Sequence, residues 1–240
     1  MKNITVIITA AGSSTRIGGG IKKEYLPFKN GTVLSSCAKT FFKALKECPK
    51  EYQFLNLIIT CPKNKIEICR EILLLDREFS QELEFYSKNQ DFFKIIEGGD
   101  SRQDSVYKAL EEVNHSTDIV LIHDGARPFV SERIIIDGIE LAIKNGASVP
   151  AITPTDTQKE IDDNGFISRH LCRQKLASVQ TPQNFVFGKL LEAYKKAMQS
   201  NKTYTDDTEI WGEYCGPVLT YSGSPQNIKI TYTQDLEKLK

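Results

Sequence analysis

Residues Val6–Leu26 read VIITAAGSSTRIGGGIKKEYL, and this stretch decides the fold. Its opening run is β-branched and apolar, the pattern of a strand buried on both faces of a parallel sheet. Ala10, Ala11 and Gly12 then remove side-chain bulk, so a ligand can approach the main chain at the strand's carboxyl end. Ser13 to Gly20 form a small-residue loop carrying Arg16, and Lys23 follows it. Backbone N–H groups with two spaced cations outline a polyphosphate cradle. GxxxxGK[ST] fails because no Gly-Lys-Ser/Thr follows the loop, and GxGxxG fails because Ser14 occupies the second glycine position. The second failure counts against a dinucleotide-dependent oxidoreductase. The plain alternative is a glycine-rich βα turn with solvated cations.

Working outward, strand and helix patterns alternate. A helical stripe follows Gly31-Thr32 to Cys48-Pro49, and Phe54–Ile59 is a second buried strand. Residues 65–79 read as one amphipathic helix, with short strands expected at Leu83–Tyr86 and Phe93–Ile96. Asp100 or Ser101 caps the next helix, Asp118–Ile122 is a strand, and Ser131 caps a helix that Gly146 stops. Ala147–Ile152 is again a strand. Helices are expected over 185–198, from a Thr205-Asp206-Asp207 cap to Tyr214, and over 233–240, and strands over 218–221 and 227–231. This alternation predicts an α/β fold with a parallel sheet covered on both faces. With no repeat or linker, residues 1–240 read as a single domain. Residues 154–180 depart from the pattern: they alternate weakly around Asp163-Asn164-Gly165, a polar hairpin that needs something to pack on.

The 31 basic and 31 acidic residues cancel, so no global field draws the chain to nucleic acid or a membrane surface. The six cysteines show neither C-x-x-C nor zinc-ligand spacing. No apolar targeting segment follows Met1, and no stretch reaches the length of a membrane span. A reduced, cytoplasmic protein is the expectation.

Parallel sheets gather ligands at strand carboxyl ends. Three polar clusters fall there: AAGSSTR, EGGDSRQDS and HDGARP. Asp124 suits a divalent cation such as Mg²⁺, or equally the N–H groups of its own turn. Arg127 before Pro128 suits an oxyanion or solvent. Gly98-Gly99 with the Ser105 hydroxyl suits a planar base or a helix cap. No Ser-His-Asp or Cys-His grouping marks a nucleophile, and His123 reads as a structural residue at a strand end. Three anion-directed clusters on a neutral chain fit a nucleoside triphosphate and a second phosphorylated substrate.

In order, AAG-x₃-R, K-x-Y-L, GG-x-x-R-x-D-S-V, HD-x-A-R-P-F, D-T-x-K, TPQ-x-F and NIKIT resemble the 2-C-methyl-D-erythritol 4-phosphate cytidylyltransferases of isoprenoid biosynthesis. The ribitol 5-phosphate cytidylyltransferases share much of the set. The resemblance implies a Rossmann-like nucleotidyltransferase fold, with 154–180 as a protruding β-arm that embraces a second subunit of a homodimer. It implies that Ala10, Ala11, Gly12, Ser13, Arg16 and Lys23 hold the triphosphate of CTP, and that Gly99, Asp100, Arg102 and Ser105 receive the cytosine end. Asp124 would bind Mg²⁺ and substrate beside Arg127, while Thr157, Arg173, Thr181, Thr205 and Lys229 surround the polyol phosphate. Arg16, Lys23, Arg173 and Lys229 would carry the chemistry. A nucleotide-binding regulatory protein without turnover is the non-enzymatic alternative. Ser14 replaces the family's usual glycine, and Lys22-Lys23-Glu24 its Pro-Lys-Gln; both changes are expected at small or exposed positions. Gly125 stands where methylerythritol enzymes carry Ala and ribitol enzymes Ser.

Overall fold

The Val6–Thr9 run lies in β1 (Lys2–Thr9), whose Ile4, Val6, Ile7 and Ile8 are fully buried. The computed structural model describes residues 1–14, 22–48, 50–86, 91–200 and 202–239. After β1 come β2 (Pro27–Phe28), β3 (Gly31–Thr32), α1 (Val33–Lys46), β4 (Tyr52–Cys61), α2 (Ile66–Leu74), α3 (Arg77–Tyr86) and β5 (Phe93–Glu97). Next are α4 (Arg102–Glu111), β6 (Ile119–Asp124), α5 (Glu132–Asn145), β7 (Ala147–Ile152), β8 (Lys159–Ile161), β9 (Ile167–His170) and β10 (Ser178–Val179). The chain finishes with β11 (Gln183–Val186), α6 (Phe187–Gln199), α7 (Asp207–Tyr214) and β12 (Leu219–Ser222), then a 3₁₀ turn over Thr233–Leu239.

The main sheet has the order β10-β7-β11-β6-β1-β4-β5, with β12 also on β7. β1 pairs in parallel with β4 and β6, and β5 pairs in parallel with β4. Side chains alternate between two cores, as the two-residue strand period requires. Val6, Ile8, Leu57, Ile59 and Leu121 face α1 and α5, with Phe41, Phe42 and Ile135 among the helical partners. Ile7, Ile58, Val120 and Ile122 face α4, α6 and α7, where Val106, Leu190 and Trp211 cover them. With helices on both faces, the strand carboxyl ends are the natural place for a site.

Five expectations need correction. Residues 65–79 are not one helix: α2 ends at Leu74 and α3 begins at Arg77. The break is Asp76, whose carboxylate accepts the N–H groups of Glu78 (3.1 Å) and Phe79 (3.2 Å). Residues 83–86 belong to α3 rather than to a strand. The 185–198 helix starts later, because Gln183–Val186 form β11, antiparallel between β6 and β7. Its polar residues disguise it; Asn184 is fully buried and donates to Ser148 O (3.3 Å) and Oγ (3.2 Å). Finally, 227–231 is an extended loop rather than a strand, and the final helix is 3₁₀. The hairpin stands as read: β8 and β9 are antiparallel, and Asp162 Oδ1 closes the turn by accepting from Asn164 and Phe166 N–H.

Asp76 is 1% exposed and also accepts from Ser35 Oγ (2.7 Å) and Lys39 Nζ (2.9 Å), joining α1 to α3. Burial alone would raise its pKa; the Ser35, Lys39 and Phe79 donors outweigh burial and hold it below the ordinary carboxylate value. A folded-state pKa below the unfolded one stabilises the protein above about pH 4, and that contribution is lost as pH falls below it. Asp76→Asn is therefore expected to cost about 2 kcal/mol at neutral pH. It should also flatten the acid-side decline in urea-denaturation stability between about pH 5 and 2. An unchanged acid-side slope would contradict this assignment.

Candidate active site

The three polar clusters meet at one cavity of about 450 Å³ over the carboxyl ends of β1, β4 and β6. Ala11, Gly12, Ser13 and Ser14 form one wall; Gly99, Asp100, Arg102 and Ser105 form another; Asp124, Lys23 and Lys229 complete it. Ala10 stays behind the wall, 1% exposed, its N–H spent on Thr60 O at 3.1 Å. Gly98 is required here by contact. A Cβ on it would lie 2.3 Å from Ala11 Cβ and 2.7 Å from Ser105 Oγ, so the two walls pack backbone against side chain.

At the second wall Ser101 caps α4 in a reciprocal box with Asp104. The Ser105 hydroxyl donates to Ser101 O (2.8 Å) and accepts Gly99 N–H (3.0 Å). It holds the Gly-Gly turn on the helix as well as facing the cavity. Asp100 projects outward to Lys63 at 2.7 Å. Arg102 forks onto Asp207, with Nη1 to Oδ1 at 2.9 Å and Nη2 to Oδ2 at 2.6 Å.

The charged centre is Asp124, 7% exposed at the end of β6. Its Oδ2 meets Lys229 Nζ at 2.9 Å and Arg127 Nε at 3.4 Å, while Oδ1 has Arg102 Nε at 3.9 Å. Burial pushes the Asp124 pKa up, but Lys229, Arg102 and Arg127 reverse this and keep it ionised, well below the usual carboxylate range. Its N–H donates to Thr181 Oγ1 (3.0 Å), which also meets His123 Nδ1 (3.0 Å). Burial lowers the pKa of His123 to about 4, so the ring is neutral at physiological pH and packs edge-on to Phe41.

Residues 227–231 reach the site without strand pairing. Ile230 N–H donates to Ala126 O (2.8 Å), Arg127 Nη1 donates to Asn227 O (2.7 Å), and Lys23 Nζ donates to Ile230 O (2.8 Å). These bonds bring Lys23 and Lys229, far apart in sequence, to one cavity.

Other candidates fall elsewhere. Arg127 and Thr181 support Asp124 from behind the lining. Thr205 binds Glu209 Oε2 through Oγ1 (2.9 Å) and N–H (2.8 Å), outside the cavity wall. Thr157 and Arg173 are exposed on the arm, and the Arg173 guanidinium donates to Thr155 O. Arg16 lies outside the described residues.

The Lys22–Glu24 departure is not at an exposed position, contrary to expectation: the Lys22 side chain is 15% and Glu24 4% exposed. Glu24 faces the cavity, and its charge is met by Lys22 Nζ at 3.1 Å. Ser14 takes φ +55°, in the left-handed region that favours the family's glycine. Its hydroxyl reaches Glu24 Oε2 at 3.3 Å, so the two departures answer one another. Sequence reading missed Glu24 and Asp207 as members of this network. The acidic pair Asp206-Asp207 signalled only a helix cap.

Among the described residues no three His, Cys, Asp or Glu side chains cluster as a metal cage. Mg²⁺ does not need one, since a single carboxylate with substrate phosphates and water suffices. Among the described residues Asp124 Oδ1 has no donor closer than Arg102 Nε at 3.9 Å, which fits that arrangement.

The family profile described as 2-C-methyl-D-erythritol 4-phosphate cytidylyltransferase matches residues 4–239. Relatives bearing that name include those of Clostridium botulinum, 37% identical over 98% of this chain and 95% of the relative, and Clostridium novyi, 37% identical over 98% and 94%. The solved 4-diphosphocytidyl-2C-methyl-D-erythritol synthase of Anaerococcus prevotii superposes with a TM-score of 0.80 at 28% identity, covering 99% of this chain and 94% of that one. The 2-C-methyl-D-erythritol 4-phosphate cytidylyltransferase of Thermus thermophilus gives 0.71 at 26% identity, covering 100% and 97%. The chain belongs to the 2-C-methyl-D-erythritol 4-phosphate cytidylyltransferase family.

Proposed function

We propose that this chain transfers CMP from CTP to 2-C-methyl-D-erythritol 4-phosphate, releasing pyrophosphate and forming 4-diphosphocytidyl-2-C-methyl-D-erythritol for isoprenoid biosynthesis. The observation that carries the reading is the convergence of Lys23, Lys229 and Asp124 on one cavity floored by Ala11-Gly12-Ser13. A phosphate oxygen of the polyol attacks the α-phosphorus of CTP. The bond from that phosphorus to the bridging oxygen breaks, and pyrophosphate leaves with the electron pair. The attacking phosphate is already ionised, so no general base is required, in keeping with a neutral, buried His123. The barrier is repulsion between two anions, and catalysis rests on position and charge neutralisation. Lys23, with Arg16, neutralises charge growing on the α-phosphate and pyrophosphate; Lys229 holds the attacking phosphate. Asp124 would hold Mg²⁺ through Oδ1, and the ion would supply further neutralisation of the triphosphate.

Pyrophosphate release tests the assignment, with CTP, ATP and GTP each offered against methylerythritol 4-phosphate and ribitol 5-phosphate. The pinched Gly98-Gly99 turn favours a pyrimidine, and CTP with methylerythritol phosphate should exceed every other pair by at least about tenfold in kcat/KM. Faster turnover of ribitol phosphate would move the substrate assignment; equal turnover of a purine would overturn the nucleotide assignment.

The arm supports a homodimer in the same reading. Ile161, Phe166 and Ile167 are 64%, 71% and 56% exposed on a ribbon too thin to bury them. An isologous exchange of arms would cover both sets and carry Arg173 of one subunit to Lys229 of the other. Arg173→Ala and Lys229→Ala homodimers should each lose at least about thirtyfold in activity, as loss of a close charge contact does. Mixing them under subunit exchange should restore about a quarter of wild-type activity, since half the dimers regain one of two sites. A mixture as inactive as its parents, with mixed dimers present, would rule out the shared site. No helix among the described residues is long and apolar enough to cross a membrane. A cytoplasmic location, without nucleic acid or membrane partners, is part of the same proposal.

A further inference from the structure

Arg102 is gripped from outside the cavity it lines. Asp207, with no exposed surface, accepts both arms of its guanidinium and also the Tyr194 hydroxyl. Burying a carboxylate is costly unless its oxygens find donors, and these accept three. The neighbouring residues repeat the grip. Gln103 Oε1 accepts Tyr204 N–H at 3.2 Å, and Asp206 Oδ2 accepts Gln183 Nε2 at 2.9 Å. Residues 204–207 are thereby docked on the first turn of α4 and on β11.

The consequence falls on Asp124. With its fork occupied, Arg102 turns only Nε toward Asp124 Oδ1, and stops at 3.9 Å, beyond hydrogen-bond distance. Oδ2 is already taken by Lys229 and Arg127. Among the described residues, a guanidinium released from Asp207 would keep Asp124 as its acidic neighbour, and closing on Oδ1 would seal the carboxylate on both oxygens. We propose that Asp207 is a positioning residue that restrains Arg102 and thereby keeps Asp124 Oδ1 open to the reacting ligands. The inference rests on the proposed role of Asp124 in the transfer reaction.

The test compares wild type, Asp207→Asn, Arg102→Met and the double variant, each assayed for pyrophosphate release well below its own melting temperature. Asp207→Asn should lower kcat at least tenfold while leaving the KM for CTP within threefold, a split that general loosening of the fold would not produce. Removing the released guanidinium should help. The double variant should be at least threefold faster than Asp207→Asn alone, and within twofold of Arg102→Met. Asp207→Asn activity within threefold of wild type, or a double variant no faster than it, overturns the proposal. If Asp207→Asn does not fold, the comparison of the double variant with Arg102→Met decides. That pair lacks the unpaired buried cation, and a further loss beyond twofold shows Asp207 acting otherwise than through Arg102. Absence of turnover by the wild type with both polyol phosphates would instead overturn the functional reading.

Discussion

Asp124→Asn is expected to lower kcat about a thousandfold, near the upper end for loss of one preorganised electrostatic group. Among the described residues three cations lie within 4 Å of this carboxylate: Lys229 at 2.9 Å, Arg127 at 3.4 Å and Arg102 at 3.9 Å. At neutral charge the amide cannot hold them together, and its NH₂ group faces donors on whichever side it is placed. Arg127 remains tied to Asn227 O. Among the described residues Lys229 has no such second anchor, and it would move with the phosphate it is meant to align. The amide is also a poor ligand for Mg²⁺. CTP affinity should change far less, because the Ala11–Ser14 wall and Lys23 are untouched. Steady-state pyrophosphate release measured beside calorimetric CTP binding separates the two effects. Turnover within tenfold of wild type would remove Asp124 from the reaction.

Lys23→Met should lower kcat on the order of a hundredfold, about 3 kcal/mol of transition-state stabilisation. Lys23 is 8% exposed, and its ammonium is fixed at 2.8 Å from Ile230 O, so its charge is preorganised rather than recruited from solvent. Methionine keeps the length and apolar stem but removes the charge. Since charge accumulates on the departing pyrophosphate, the loss should appear chiefly in kcat, with a smaller rise in the KM for CTP. The Ile230 carbonyl loses a donor as well, so thermal stability should be recorded in parallel. Near-normal turnover by a folded variant would exclude Lys23 from the mechanism.

Local pattern was enough wherever the cause of structure is local. The β-branched run before Ala10 became the buried central strand. Thr32, Ser101, Ser131 and Asp206 cap helices through their own side chains, and Gly146 stops α5 at φ +90°. Chain order also brought the AAG, GG and HD clusters to strand ends, so most of the cavity wall was legible in the sequence.

Tertiary partners decided the rest. β11 is a strand because β6 and β7 sandwich it, and no window of sequence contains those neighbours. Asp76 breaks a continuous amphipathic stripe because Ser35 and Lys39, on another helix, complete its shell. Residues 227–231 carry a strand's composition, yet their donors and acceptors are satisfied by Ala126, Arg127 and Lys23 instead of a ladder. Asp207 looks in sequence like half of a helix cap. Only packing makes it the anion that holds Arg102, because a buried charge takes its meaning from the partner that neutralises it, and that partner lies 105 residues away in the chain.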